Sequence, residues 1–221
     1  MALPGGGVDA LLFDFDHTLV HLKADWDALR KDIAAISDRF GVRTDERWVL
    51  RGIGVAFRRL VDEGRDHEAA QFRDEAFEHV ERVEEQALGG SQAVEGAQEV
   101  VRTLKHRGYR VAIVSNNNPG SIGRALLMFG FPEVDLVVGR QRGEPVKPSP
   151  IPVMKALSRL DVPPKRAVLI GDGEADLQAG KAAGVATVLF VTNGVEKEIT
   201  TRPSERIEQL GALLDFFPQR T

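Results

Sequence analysis

The sequence predicts an α/β protein: an open parallel sheet with a helical domain inserted after its first strand. Three observations carry this. Five short apolar runs rich in valine, isoleucine and leucine each end in polar residues or glycine, as strands buried on both faces do. Helix-length segments precede the last four runs. About seventy residues after the first run contain no strand-like stretch and are dense in charge.

The runs are residues 8–15, 110–115 (RVAIVS), 134–139 (VDLVVG), 167–171 (AVLIG) and 186–191 (ATVLFV). Helical segments are expected over 94–107, 120–129, 150–160 and 174–183, with a closing helix over 205–217. Strand-helix alternation of this kind implies a Rossmann-like sheet with right-handed crossovers. In the insertion, Leu29, Ile33, Ile36 and Phe40 form one stripe at helical spacing. Phe72, Phe77, Val80 and Val83 form a less regular second one. Gly41 and the Gly52-Ile53-Gly54 turn are expected to break the insertion into three helices, and Gly89-Gly90 to end it. The expected division is 1–20 with 92–221 as the α/β core and 21–91 as the helical domain. Pro4-Gly5-Gly6-Gly7 reads as a flexible lead-in.

Composition removes several classes of function. The chain has 221 residues and a formal charge of -4, without the basic excess of a nucleic-acid binder. It has no cysteine, so disulfides, thiolate metal sites and a cysteine nucleophile are excluded. No window approaches the ~20 apolar residues of a membrane span, and no basic targeting segment opens the chain. A soluble cytoplasmic protein with no nucleic-acid or membrane partner is expected.

In open α/β sheets, ligands bind beyond the carboxyl ends of the strands. Asp14, Asp16 and Thr18 follow the first run, and Ser115 and Asn116 the second. Lys147 follows the third across a loop, and Asp172 and Asp176 the fourth. Any one of these alone reads as a turn or cap residue. Together they assemble carboxylates, hydroxyls, an amide and a lysine at one sheet edge. Clustered carboxylates call for a hard cation, and oxygen-only donors suit Mg²⁺, which usually also binds phosphate. A lysine and hydroxyls beside it would surround phosphoryl oxygens.

These residues fall into four motifs: Asp14-Phe15-Asp16-His17-Thr18; Ser115 with Asn116; Lys147 with Pro148; and Gly171-Asp172-Gly173-Glu174-Ala175-Asp176. In that order they resemble the haloacid dehalogenase superfamily, and the insertion resembles the helical cap of its phosphoglycolate phosphatase-like branch. The resemblance implies Asp14 as nucleophile and metal ligand. Asp16 would be general acid/base, its backbone carbonyl on Mg²⁺. Thr18, Ser115, Asn116 and Lys147 would hold the phosphoryl group, and Asp172 and Asp176 would complete the metal site. Dehalogenases of the superfamily lack an acid at Asp16, so the resemblance favours phosphoryl transfer. His17 departs from the glycine common in cap-bearing relatives and reads as a variant turn residue.

A small phosphorylated metabolite is the expected substrate, selected by the cap, with Arg51 and Trp48 as specificity candidates and Lys23 and Trp26 behind them. A phosphomutase of the β-phosphoglucomutase type shares the motifs and is the first alternative. A signalling receiver is disfavoured by the long insertion, and a non-catalytic binding protein by the complete motif set. There is no GxxxxGK[ST] loop, no GxGxxG after the first strand and no HExxH.

Overall fold

The computed structural model describes residues 3, 7–44, 48–191 and 198–220. Residues 4–6 of the expected lead-in lie outside them. Contacts divide the chain into two compact units: 1–22 with 91–140 and 145–221, and 23–90 with 141–144.

The larger unit is built on a six-stranded parallel sheet. In chain order its strands are β1 (Ala10–Phe13), β4 (Arg110–Val114), β5 (Leu136–Val138), β6 (Ala167–Gly171), β7 (Ala186–Phe190) and β8 (Glu205–Ile207). Their spatial order is β5-β4-β1-β6-β7-β8. A separate two-stranded ribbon pairs β2 (Val20–His21) antiparallel with β3 (Gln92–Ala93). The strand order reverses beside β1, so the chemistry-bearing loops after β1 and β6 meet at the switch point where such sheets bind ligands.

Both sheet faces are covered, which explains why the strands read as continuous apolar runs. Ala10, Leu12, Ala112 and Leu169 pack against α6 (Ile151–Leu160) and α7 (Glu174–Ala183) through Val153, Ala156, Leu157 and Ala179. The alternate residues Leu11, Phe13, Val111, Ile113, Val168 and Ile170 are equally buried. α4 (Ala97–His106) packs on β4 and on α8 (Leu213–Phe216), while α5 (Pro119–Met128) links β4 to β5. Arg107 pins the C-terminus by donating to the carbonyls of Leu214 and Phe217 at 2.6 and 2.7 Å.

Where a closing helix was expected over 205–217, the chain instead adds the edge strand β8, then a 3-10 turn and the single turn α8. Three residues of mixed polarity at a sheet edge print no apolar run, and the backbone pairing with β7 decides the outcome.

The smaller unit contains α1 (Trp26–Arg39), α2 (Val49–Asp62) and α3 (Asp66–Ala87). The two expected stripes face its core, where Leu29, Ile33, Ile53, Leu60 and Phe72 are almost wholly buried. Gly41 ends the first helix at φ +67°. The expected turn at Gly52-Ile53-Gly54 does not occur, because both glycines lie inside α2. A helix-interior glycine costs about 1 kcal/mol, which burial of Ile53, Ala56 and Leu60 on one face outweighs. The break falls at Gly64, where φ is +75°. Residues 141–144 join this unit through Arg142, which donates to both carboxylate oxygens of Glu81 at 3.2 and 2.8 Å. Among the described residues no helix is long and apolar enough to cross a membrane.

Candidate active site

The strand register brings the site residues to one level. Phe13 pairs with Ile113 on one side and Ile170 on the other, so the next residues, Asp14, Val114 and Gly171, end three adjacent strands together. The Asp14 N–H donates to the Ile170 carbonyl at 2.8 Å, which carries the pairing one residue past β1.

Lys147 lies at the centre and is 4% exposed. Its Nζ donates to Asp14 Oδ1 at 2.7 Å, to Asp176 Oδ1 at 2.6 Å and to the Val114 carbonyl at 2.7 Å. Burial alone would favour the neutral amine; Asp14 and Asp176 more than offset it, and the ammonium is held well above the ordinary lysine range. One carboxylate oxygen from each of Asp14, Asp172 and Asp176 lies within 4.8 Å of the others. Three carboxylates beside one ammonium leave an excess of negative charge. Asp176 carries the cost: burial first, then the charges of Asp14 and Asp172, push its carboxyl up to about 7 despite Lys147. A hard divalent cation fits this donor set, since it supplies the missing charge and takes only oxygen ligands.

Gly171 makes the arrangement possible. A Cβ there would sit 2.4 Å from Asp176 Cγ, so no larger residue fits with Asp176 in place. Asp176 is the third residue of α7, and its Oδ2 accepts the Gly173 N–H at 3.2 Å. Glu174, between the two acids, is spent elsewhere. It accepts from the backbone N–H and hydroxyl of Thr200 and of Thr201. Modest burial works against the charge, but these donors and Gln178 hold Glu174 down at about 2.

Asp16 is set apart from the cluster. The turn after β1 closes through Leu19 and Val20 N–H bonds to the Phe15 carbonyl. Asp16 Oδ1 then accepts the Leu22 N–H at 3.0 Å. His17 sits in the left-handed region at φ +60° and places its Nε2 3.8 Å from Asp16 Oδ1. Its ring faces His21, with Nδ1 atoms 3.4 Å apart. Burial lowers the His21 pKa, partly countered by Asp172. Thr18 is fully buried, and its hydroxyl has no hydrogen-bond partner among the described residues. A buried orphan of this kind costs about 1–3 kcal/mol unless something satisfies it.

Ser115 donates to Asn117 Oδ1 at 2.9 Å, a contact the sequence reading did not include. Asn116 spends its side-chain amide on the backbone of Lys147. Its Oδ1 accepts the Lys147 N–H at 2.9 Å and its Nδ2 donates to the Lys147 carbonyl at 3.0 Å. In the helical unit, Arg51 is exposed on α2 and Trp48, at the α2 N-cap, is 50% exposed. Trp26 instead packs against the helical core.

The haloacid dehalogenase-like hydrolase profile matches residues 8–184, which include every one of these core positions. The chain belongs to that family. It is an enzyme of the hydrolase class, and curated family members named as phosphatases resemble it along most of their length. The pyrophosphatase PpaX of Halalkalibacterium halodurans is 27% identical over 216 residues, 95% of this chain and 96% of that one. The phosphoglycolate phosphatase of Psychrobacter arcticus is 26% identical over 216 residues, 93% of this chain and 94% of that one. Among solved structures, a predicted phosphoglycolate phosphatase from Haemophilus somnus superposes with a TM-score of 0.65 at 20% identity, covering 96% and 99% of the two chains. A dehalogenase superposes almost as well, at 0.63 and 19% identity, so the family fold alone does not select the reaction.

Proposed function

We propose that the protein is a Mg²⁺-dependent phosphatase that hydrolyses a small phosphorylated metabolite through an aspartyl-phosphate on Asp14. The observation that carries this reading is the division of labour among the acids. Asp14 shares Lys147 with Asp176 inside the charged cluster, whereas Asp16 stands outside it on the Leu22 N–H.

Asp14 supplies the attacking carboxylate oxygen. Its bond to phosphorus forms as the ester P–O bond breaks, and Asp16 gives its proton to the leaving alkoxide. Asp16 then takes a proton from water as that water attacks phosphorus and frees Asp14. Lys147 steadies Asp14 through the 2.7 Å contact and balances phosphoryl charge, and the further donors are the Thr18 hydroxyl and the Ser115 hydroxyl, the latter turning from Asn117 to the phosphoryl group. Mg²⁺ held by Asp14, Asp172, Asp176 and the Asp16 carbonyl would neutralise the cluster and stabilise charge on the phosphoryl oxygens. The second acid at Asp16 supports phosphate-ester cleavage over carbon-halogen cleavage, because an alkoxide needs a proton and a halide does not. Arg51 and Trp48 are the candidates for choosing the substrate. An unchanged kcat/KM on the best substrate in Arg51→Ala would remove Arg51.

The test is hydrolysis of p-nitrophenyl phosphate with Mg²⁺, with EDTA, and by Asp14→Asn. Release of inorganic phosphate should require the metal and disappear in the variant. Full activity in EDTA or in Asp14→Asn would overturn the mechanism.

A further inference from the structure

We propose that Arg140 is a positioning residue for Lys147, acting through Asn116; its catalytic consequence rests on the phosphatase reading above. Arg140 follows β5 and is only 5% exposed. Burying a guanidinium is costly unless its donors are matched. One guanidinium donor and the backbone N–H of Arg140 meet the loop that follows β4. Its backbone N–H donates to the Asn117 carbonyl at 2.8 Å and its Nη1 to the Asn116 carbonyl at 2.7 Å. The two loops touch closely at this point: a Cβ on Gly139 would sit 2.8 Å from the Asn117 carbonyl and from Pro119.

The held residue then holds the next one. Asn116 clasps residue 147 at both ends, through its N–H and its carbonyl. A single hydrogen bond would leave that backbone free to pivot, but two opposed ones fix its direction. From this backbone the Lys147 side chain reaches Asp14, Asp176 and the Val114 carbonyl. Four residues thus form one continuous line of contacts, from a buried guanidinium to the attacking carboxylate. Neither Arg140 nor the Asn116 amide need touch substrate for the line to matter. A misplacement of about 1 Å in such a constellation costs on the order of a hundredfold in rate.

The experiment compares Arg140→Met, Arg140→Lys, Asn116→Ala and the double variant Arg140→Met/Asn116→Ala, using p-nitrophenyl phosphate with Mg²⁺ below every melting point. Arg140→Met should lower kcat about 10- to 100-fold with a smaller change in KM, and Arg140→Lys, which keeps one donor, should recover part of it. Because the two residues act in series, Arg140→Met should cost much less in the Asn116→Ala background. A crystal structure of Arg140→Met should show Lys147 Nζ displaced by more than about 0.5 Å. Should Arg140→Met not fold, Arg140→Lys and Arg140→Gln carry the same comparisons. Unchanged kcat, equal losses in both backgrounds, or an unmoved Nζ would overturn the proposal. If wild type and Asp14→Asn are equally inactive, the phosphatase reading fails, and the position of Nζ still decides the positioning role.

Discussion

Removing the ammonium at the centre of the site tests the electrostatic argument most directly. In Lys147→Met, Asp14, Asp172 and Asp176 keep their spacing, but Asp14 and Asp176 lose the ammonium they share. Taking one partner from a buried pair costs roughly 3–5 kcal/mol. At about 2–4 °C per kcal/mol for a chain of this size, metal-free protein at about pH 8.5 should melt roughly 6–20 °C below wild type. Lower pH should shrink the deficit. Asp176 has a folded pKa raised above its unfolded value, so the stability it contributes is full below about 3.8 and is lost as pH rises through about 7. Without Lys147 that folded pKa rises further. The variant then goes on losing stability above about pH 7, where wild type no longer does. The deficit should therefore be larger at about pH 8.5 than at about pH 5.5, with Lys147 of the wild type charged throughout. Saturating Mg²⁺ should recover more stability in the variant than in wild type. Differential scanning calorimetry in EDTA and in Mg²⁺ reads all of this. A deficit equal at both pH values, or none at all in EDTA, would refute the reasoning.

Three further outcomes are expected. Asp16→Asn should lose about 10²–10⁴-fold in kcat on alkyl phosphates and far less on p-nitrophenyl phosphate, whose leaving group needs little protonation; equal losses on both would count against Asp16 as the proton donor. Thr18→Val removes an orphaned buried hydroxyl, so stability should hold or rise by up to about 1 kcal/mol while inhibition by inorganic phosphate weakens; unaltered inhibition would detach Thr18 from the phosphoryl group. His17→Gly relieves a left-handed residue worth roughly 1–2 kcal/mol but adds chain entropy of similar size, so stability should move by less than about 1 kcal/mol. A loss above about 2 kcal/mol would show that the His17–His21 contact contributes to the fold.

What the sequence displayed, and what it hid, follows from burial. Strands covered on both faces must be apolar throughout, so β1, β4, β6 and β7 announce themselves. A site at their ends is then legible as polar residues interrupting apolar runs. β8 lies at an edge, pairs through backbone alone and leaves no such trace. The glycines of α2 mislead for a related reason: local propensity is weak beside the burial of a helix face. Asn116 could be read as a site residue, but not that its amide is turned to the backbone of Lys147. Arg140 gave no signal, because a buried arginine and a solvated one look alike in sequence.

The salt bridges of Arg142 bear on any attempt to engineer the molecule. The helical unit is made from two stretches of chain, 23–90 and 141–144. A deletion that joins residue 22 to residue 91 removes Glu78 and Glu81 yet leaves Arg142 behind, on a loop that no longer has its carboxylates. That loop runs directly from Arg140 toward Lys147. A minimal α/β version of this protein therefore needs a second edit, shortening 141–144 to a tight turn. Grafting the helices onto another sheet would need both stretches to travel together.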